Sequence, residues 1–301
     1  MHDSDRQTRS HLMELFAQQG FHPRHDLGQN FLIDLNLIEF VVREAEIDLD
    51  DVVLEIGAGT GSMTTHLARE AGAVVSVEID PNMYALASEA TASYRRVTLL
   101  NRDALKNKNT IAPEVLAAVA EKRAEFPEGN FKLVANLPYA VATPVVSNLV
   151  ATDLPWERMV VTIQYELAER MVAGPGSDAY GALSVWLQAQ CRVKIIRKLG
   201  PNVFWPRPKV DSAIVKIKPD AALREKIDDR HFFHEFVRGL FNQRRKVLRS
   251  TLASMYRDQL QKPEVDAILA EPGLVDKTRA EQLTPEEFVR LANRFRKAVS
   301  R

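Results

Sequence analysis

From residue 50 onward the sequence repeats one short cycle of apolar strand, turn and helix, and this alternation limits the possible folds more than any other feature. "DVVLEIG" (51–57) reads as a strand closed by glycine, "SMTTHLAREAG" (62–72) has helical spacing, and "AVVSVEID" (73–80) is a second apolar strand. The cycle continues with a helix opened by Pro81, a strand in "RVTLLNRD" (96–103), a helix in "IAPEVLAAVAEKRAEF" (111–126) and a strand in "FKLVAN" (131–136). A helix in "TPVVSNLVA" (143–151) and a strand in "RMVVTIQ" (158–164) follow. Strands joined through single helices run parallel, and their sheet is covered on both faces, so the expected fold class is α/β with a Rossmann-like sheet. "CRVKIIRKL" (191–199) and "KVDSAIVKI" (209–217), joined by a Pro-rich loop, predict an antiparallel hairpin at one sheet edge. Beyond Pro219 strand signals stop. "HFFHEFVRGLF", "RRKVLRSTLASMY", "PEVDAILA" and "PEEFVRLANRFRKAV" are helical, with Pro263 and Pro285 at first-turn positions, and predict a small C-terminal all-helical domain. The expected division is a leader at 1–27, the sheet domain at 28–220 and the helical domain at 221–301.

With 46% apolar and 27% charged residues among 301, the composition is that of an ordinary globular protein. Cys191 is the only cysteine, so no intramolecular disulfide, zinc set or redox pair can form, and the seven histidines are too scattered to suggest a ligand set. No metal is expected. No apolar run is long enough to span a bilayer and the N-terminal stretch lacks a signal core, so a cytoplasmic protein without membrane contact is expected. Lysines and arginines balance aspartates and glutamates at 40 each, which on its own argues against a nucleic-acid binder. Their distribution is uneven: residues 192–218 hold eight bases against the single acid Asp211, and "VRGLFNQRRKVLR" (237–249) holds five bases and no acid. Such runs form either a nucleic-acid face or a solvated one.

"LEIGAGTGSMT" lies between the first strand and the first helix, where backbone must approach a ligand closely. Gly57, Gly59 and Gly61 supply that turn, but Ser62 breaks the strict dinucleotide fingerprint. Glu55 just before the turn would disfavour an anionic pyrophosphate and suit the cationic sulfonium of S-adenosylmethionine. Glu78 and Asp103 end the next two strands, placing three acids in register at the carboxyl edge of the sheet. Glu78 is placed to accept both ribose hydroxyls and Asp103 the adenine amino group, although a helix-capping role would suit either residue alone.

The fourth strand ends in "NLPY" (136–139). An adenine amino nitrogen is a poor nucleophile because its lone pair is delocalised into the ring, so its methylation needs acceptors that draw the N–H bonds out of plane. The side-chain oxygen of Asn136 and the carbonyl of Leu137 fit that need, with Pro138 fixing the turn and Tyr139 stacking on the base. The base must leave its stack to be reached.

"GQNFLID" (28–34), "LEIGAGTG", "NLPY", "GALSVWLQ" (181–188), "VFWPRPKVDSAIVKI" (203–217), "FNQRRKVL" (241–248) and "RAEQLTPEEF" (279–288) together resemble the KsgA-type ribosomal RNA adenine N6-dimethyltransferases in order and spacing. The resemblance implies a Rossmann-like S-adenosylmethionine-dependent methyltransferase sheet. It implies dimethylation of two adjacent adenosines in a hairpin loop near the 3′ end of small-subunit ribosomal RNA, within a pre-30S particle, and a monomer is expected. The cofactor set is then Asn30, Leu32, Glu55, Gly57, Gly59, Glu78, Asp103 and Asn136, and the catalytic set Asn136, Leu137, Pro138, Tyr139 and Phe204, with Tyr139 and Phe204 sandwiching the adenine. The basic clusters become phosphate contacts. Three departures stand out: Ala140-Val141-Ala142 after "NLPY" where a polar first residue is common, a leader that is only mildly basic, and a long 106–130 segment expected to be a surface helix. The rival readings are an Erm-like methyltransferase of large-subunit RNA and a non-catalytic RNA-binding assembly factor.

Overall fold

In a computed structural model, residues 9–244, 246–270 and 278–299 are described. Seven strands form the central sheet: β1 (Val52–Ile56), β2 (Ala73–Glu78), β3 (Val97–Asn101), β4 (Phe131–Asn136), β5 (Trp156–Gln164), β6 (Cys191–Leu199) and β7 (Ser212–Pro219). Their order is β3-β2-β1-β4-β5-β7-β6. The first five run parallel, and β7 pairs antiparallel with β5, Val215 opposite Val161. Every residue of β1 and β2 is buried, which requires cover on both faces and explains why these strands are rich in Val rather than alternating with exposed polar residues. Strand order reverses between β1 and β4, and a crevice opens beyond the carboxyl ends of the strands at such a point.

The helices of this part are α1 (Arg9–Gln19), α2 (Leu35–Glu44), α3 (Ser62–Glu70), α4 (Pro81–Thr91), α5 (Pro113–Glu125) and α6 (Ala142–Ala151). The repeating cycle foretold α3 to α6. It gave no sign of α1 or α2, although α2 has a clear local cause. Asp34 caps its N-terminus by accepting from the Leu37 N–H, and Leu37, Ile38, Val41 and Val42 form one buried stripe. That stripe belongs to one buried cluster with Val53, Val74, Val134 and Val160, each such side chain contributing roughly 1.5–3 kcal/mol. Helix α1 docks through Leu12 and Phe16. The expected surface helix over 106–130 is part hairpin, Leu105–Asn107 against Thr110–Ile111, and part α5.

The chain divides into two units: residues up to Ala168 with Lys194–Lys218, and Glu169–Val193 with the residues from Pro219 on. A division at 220 therefore differs from the observed packing by the segment 169–193, which joins the helices. Helix α7 (Tyr165–Val172) crosses the boundary. The second unit holds α8 (Ala182–Gln188), α9 (Ala221–Arg224), α10 (Arg230–Phe241), α11 (Leu248–Met255), α12 (Lys262–Ala270) and α13 (Pro285–Val299). In α10 the Asp229 side chain accepts from the Phe232 N–H, and Phe233, Phe236, Val237 and Leu240 are buried at helical spacing. Phe236 stacks on Tyr256, and Phe295 packs tilted against both. The sequence predicts helix from Arg244, yet α11 begins only at Leu248, because Val247 bridges to Arg279 and the Leu248 N–H binds the Thr278 carbonyl. Among the described residues no helix is long and apolar enough to cross a membrane, and no cluster of side chains suits a metal ion.

Candidate active site

The glycine turn after β1 is left-handed at three positions, with φ of 86° at Gly57, 56° at Gly59 and 82° at Gly61. The turn is also tightly packed. A Cβ on Gly57 would lie 3.0 Å from Pro138 Cδ, and one on Gly59 3.1 Å from the Phe31 ring. The glycines thus let the "NLPY" turn and the segment before α2 close over the loop. One cavity results, and its walls include Asn30, Gly57, Gly59, Glu78, Asp103, Asn136, Leu137, Pro138 and Tyr139. Leu32 and Glu55 line a smaller cleft that shares Phe31, Gly57, Gly59 and Asn136 with this cavity. Phe204 lines neither. It is 2% exposed, opposite Leu32 in a short ribbon formed by Phe31–Leu32 and Phe204–Trp205.

The acids at the strand ends differ in environment. Glu78 accepts from the Gly59 N–H at 2.8 Å and the Asp80 N–H at 2.9 Å, one bond to each carboxylate oxygen. Burial holds its pKa above the usual carboxylate range, although those N–H groups oppose the shift. Asp103 accepts from the Leu105 N–H at 2.8 Å through Oδ1, which leaves Oδ2 for another donor. Glu55 lies on the α3 side of the sheet, where Thr64 Oγ1 and Ser76 Oγ donate to its Oε2 at 2.5 and 2.6 Å. Burial pushes it up to about 7 against those two hydroxyls. Glu55 is therefore only partly ionised at neutral pH and lines the adjoining cleft instead of the main cavity, so the full negative charge expected beside a sulfonium is not found at this residue. Glu78 and Asp103 are the strand-end carboxylates that lie on the cavity wall.

Asn136 Nδ2 donates to the Asn30 carbonyl at 2.9 Å. With the amide nitrogen committed, Oδ1 is the acceptor left for a ligand, as the sequence argument requires. Leu137 N–H binds the Thr162 carbonyl and Val141 N–H the Pro138 carbonyl, so the turn is fixed at both ends. The Tyr139 hydroxyl shares a 2.7 Å hydrogen bond with Ser212 Oγ, either able to donate, and burial raises the phenol pKa against that bond.

Several wall residues escaped the sequence reading. Ile79, 45% exposed, and Ala104 follow the strand-end acids Glu78 and Asp103 and supply apolar wall beside them. The position after each acid was the available signal. Gln29 Nε2 donates to Asp80 at 2.9 Å and ties the segment before α2 to the start of α4. Phe31 packs with Trp205 and Phe16, so α1, read only as leader, supports the cavity wall. No short sequence signal marks that docking.

The basic clusters are less free than the local charge count implied. Arg192 pairs with Asp220, Lys198 with Asp211, Lys216 with Glu44 and Arg249 with Asp266. Arg244 binds Glu281 at 2.6 Å and the carbonyls of Ser177 and Asp178, which makes it a tie within the helical unit. Arg245 lies outside the described residues. Lys194, Arg207 and Lys209 are exposed.

Comparison with known proteins fits this geometry. The sequence profile of the ribosomal RNA adenine dimethylase family matches residues 20–297. The chain belongs to that family. "Ribosomal RNA small subunit methyltransferase A" of Lachnoclostridium phytofermentans is 38% identical over 282 residues, covering 93% of this chain and 94% of that one. Its counterpart of the same name in Pediococcus pentosaceus is 36% identical over 282 residues, covering 93% and 92%. Among solved structures, a dimethyladenosine transferase from Plasmodium falciparum has a TM-score of 0.74 at 24% identity, covering 88% of this chain and 97% of its own. The 23S rRNA methyltransferase ErmE has a TM-score of 0.61 at 24% identity, covering 90% and 100%. This family member thus shares its fold with a dimethyladenosine transferase and a 23S rRNA methyltransferase, and helix α1 lies ahead of the family match.

Proposed function

We propose that the protein dimethylates N6 of two adjacent adenosines in a hairpin loop near the 3′ end of small-subunit ribosomal RNA, using S-adenosylmethionine as methyl donor. It acts in the cytoplasm, as a monomer, on an assembling pre-30S particle. The observation that carries the chemistry is the Asn136 amide, whose nitrogen is held by the Asn30 carbonyl so that its oxygen remains an acceptor.

The wall residues fit the methyl donor. Glu78 receives the ribose hydroxyls on lone pairs beyond those used by Gly59 and Asp80, Asp103 takes the adenine amino group on Oδ2, and Ile79 and Ala104 flank the ring. Asn30 and the loop at Gly57 and Gly59 enclose the remainder, while Leu32 and Glu55 support that loop from the adjoining cleft. When bound, S-adenosylmethionine supplies a methyl group on a sulfonium that departs as a neutral thioether. Asn136 Oδ1 and the Leu137 carbonyl accept from the target amino group, turning its lone pair toward the methyl carbon. One N–H proton is lost to water as the new N–C bond forms. Alignment and fixed dipoles provide the rate, and no strong general base is required. Tyr139 stacks on the flipped base, and Phe204, buried against Leu32, must leave that packing to complete a sandwich.

The test is transfer of labelled methyl from S-adenosylmethionine to undermethylated small and large ribosomal subunits in parallel, with nucleoside analysis. Dimethyladenosine in the small subunit alone is the expected result. Product confined to the large subunit would assign the Erm-like activity instead, and RNA binding without product would assign an assembly factor.

A further inference from the structure

The two aromatic residues assigned to the target base, Tyr139 and Phe204, lie 65 positions apart, yet both are attached to one short strap, residues 204–212. Phe204 begins the strap and is held opposite Leu32. Its far end is held at Asp211, whose carbonyl accepts from the Tyr165 N–H at 3.0 Å and whose carboxylate pairs with Lys198 at 3.0 Å. Pro206 and Pro208 restrict the backbone between these ends. Ser212, the first residue of β7, is fully buried opposite Gln164 and reaches the Tyr139 hydroxyl at 2.7 Å.

We propose that Ser212 is a positioning residue for the target base, its buried hydroxyl fixing the Tyr139 ring to the same strap that carries Phe204. The reading rests on the assignment of Tyr139 as the base-stacking residue. A buried phenol hydroxyl needs a partner whatever its role, so what marks Tyr139 is the kind of partner it has and the place of its ring. Tyr180, buried in the helical unit, binds the backbone carbonyl of Leu283 and lines neither cleft at the carboxyl end of the sheet. Tyr139 instead spends its hydroxyl on a buried side chain while its ring lines the cavity, with both the turn and β7 held independently. Loss of the bond frees the ring to swing, and small losses of alignment at a reacting centre are costly in rate.

The experiment compares single-turnover methyl transfer to small subunits for wild type, Ser212→Ala, Ser212→Thr, Tyr139→Phe and the Ser212→Ala/Tyr139→Phe double variant. Binding of S-adenosylmethionine and fluorescence of 2-aminopurine at the target position are read beside it. Ser212→Ala and Tyr139→Phe are each expected to slow transfer about tenfold and to lessen 2-aminopurine quenching, with cofactor affinity unchanged. Because both changes break one bond, the double variant should be no slower than either single variant, and Ser212→Thr should recover most of the rate. A Ser212→Ala enzyme with wild-type rate and quenching, or a double variant whose loss is the product of the two, would overturn the proposal. Should Ser212→Ala not fold, Tyr139→Phe removes the same bond from the other side, and wild-type rate and quenching in that variant would equally overturn it. Wild-type transfer in the same assay reports on the function itself, so an inactive wild type counts against that reading and not against the Ser212 contact.

Discussion

The two ends of the parallel sheet both bury charge, but they treat it in opposite ways. At the amino end Asp51 and Lys132 are 1% and 3% exposed and pair at 2.6 Å, with Lys132 also donating to the Glu46 carbonyl. Arg158 beside them pairs with Glu46 and Glu157. At the carboxyl end Glu55 and Glu78 are buried with N–H and O–H donors, and no described cation pairs with either. The titration behaviour follows. Burial works to raise Asp51, yet Lys132 and the N–H groups of Asp48 and Asn130 bring it below the usual range, whereas burial wins at Glu55 and Glu78. The amino end is electrostatically complete on folding. The carboxyl end holds its buried carboxylates on neutral donors alone, and on the proposed reading the bound methyl donor supplies the further donors.

Substitutions at the two ends should therefore fail differently. The largest effect is expected from Asn136→Ala, which on the proposed mechanism removes an acceptor used in the transition state and no phosphate contact. Transfer should fall by more than about 100-fold with RNA affinity and melting temperature nearly unchanged. A parallel loss of RNA binding would remove Asn136 from the chemistry. Next is Lys132→Ala, which leaves Asp51 buried without its cation and should cost about 3–5 kcal/mol in denaturant unfolding. An unchanged midpoint would mean that the amino-end pair is not the anchor described.

Glu55→Gln should act in the other direction. Between about 4.5, its unfolded value, and about 7, the folded protein keeps a proton that the unfolded chain has lost. Its contribution to stability is therefore present at low pH and lost as pH rises through that window, by roughly 3 kcal/mol. The glutamine variant lacks this loss and should gain on wild type in thermal unfolding from pH 5 to pH 8. A constant difference across that range would contradict the assignment. The smallest effect is expected at Arg244, in the helical unit. Arg244→Ala should destabilise by about 1–3 kcal/mol through its bonds to Glu281, Ser177 and Asp178. Weaker RNA binding with unchanged stability would restore it as a phosphate contact.

This contrast also explains what the sequence makes legible. The strand cycle, the strand-end acids and the "NLPY" turn depend on local patterns, and nine of the twelve residues chosen from them and from the family motifs line the one cavity. The charge runs are different. Lys216 meets Glu44 and Arg249 meets Asp266, and no window along the chain brings these partners together. Helix α1 escaped for the same reason, since Phe16 finds Phe31 and Trp205 only after folding. Phe204 belongs to a matched motif, but its burial opposite Leu32 is a property of tertiary packing.

The most direct test of the account is equilibrium binding of S-adenosylmethionine to wild type and Glu78→Gln, with thermal unfolding of both. Glu78 is the buried carboxylate left for the ligand, so the isosteric variant should lose about 10- to 100-fold in affinity while unfolding at or above the wild-type temperature. Equal affinity in the two proteins would contradict the claim that the carboxyl end of the sheet is completed by the methyl donor.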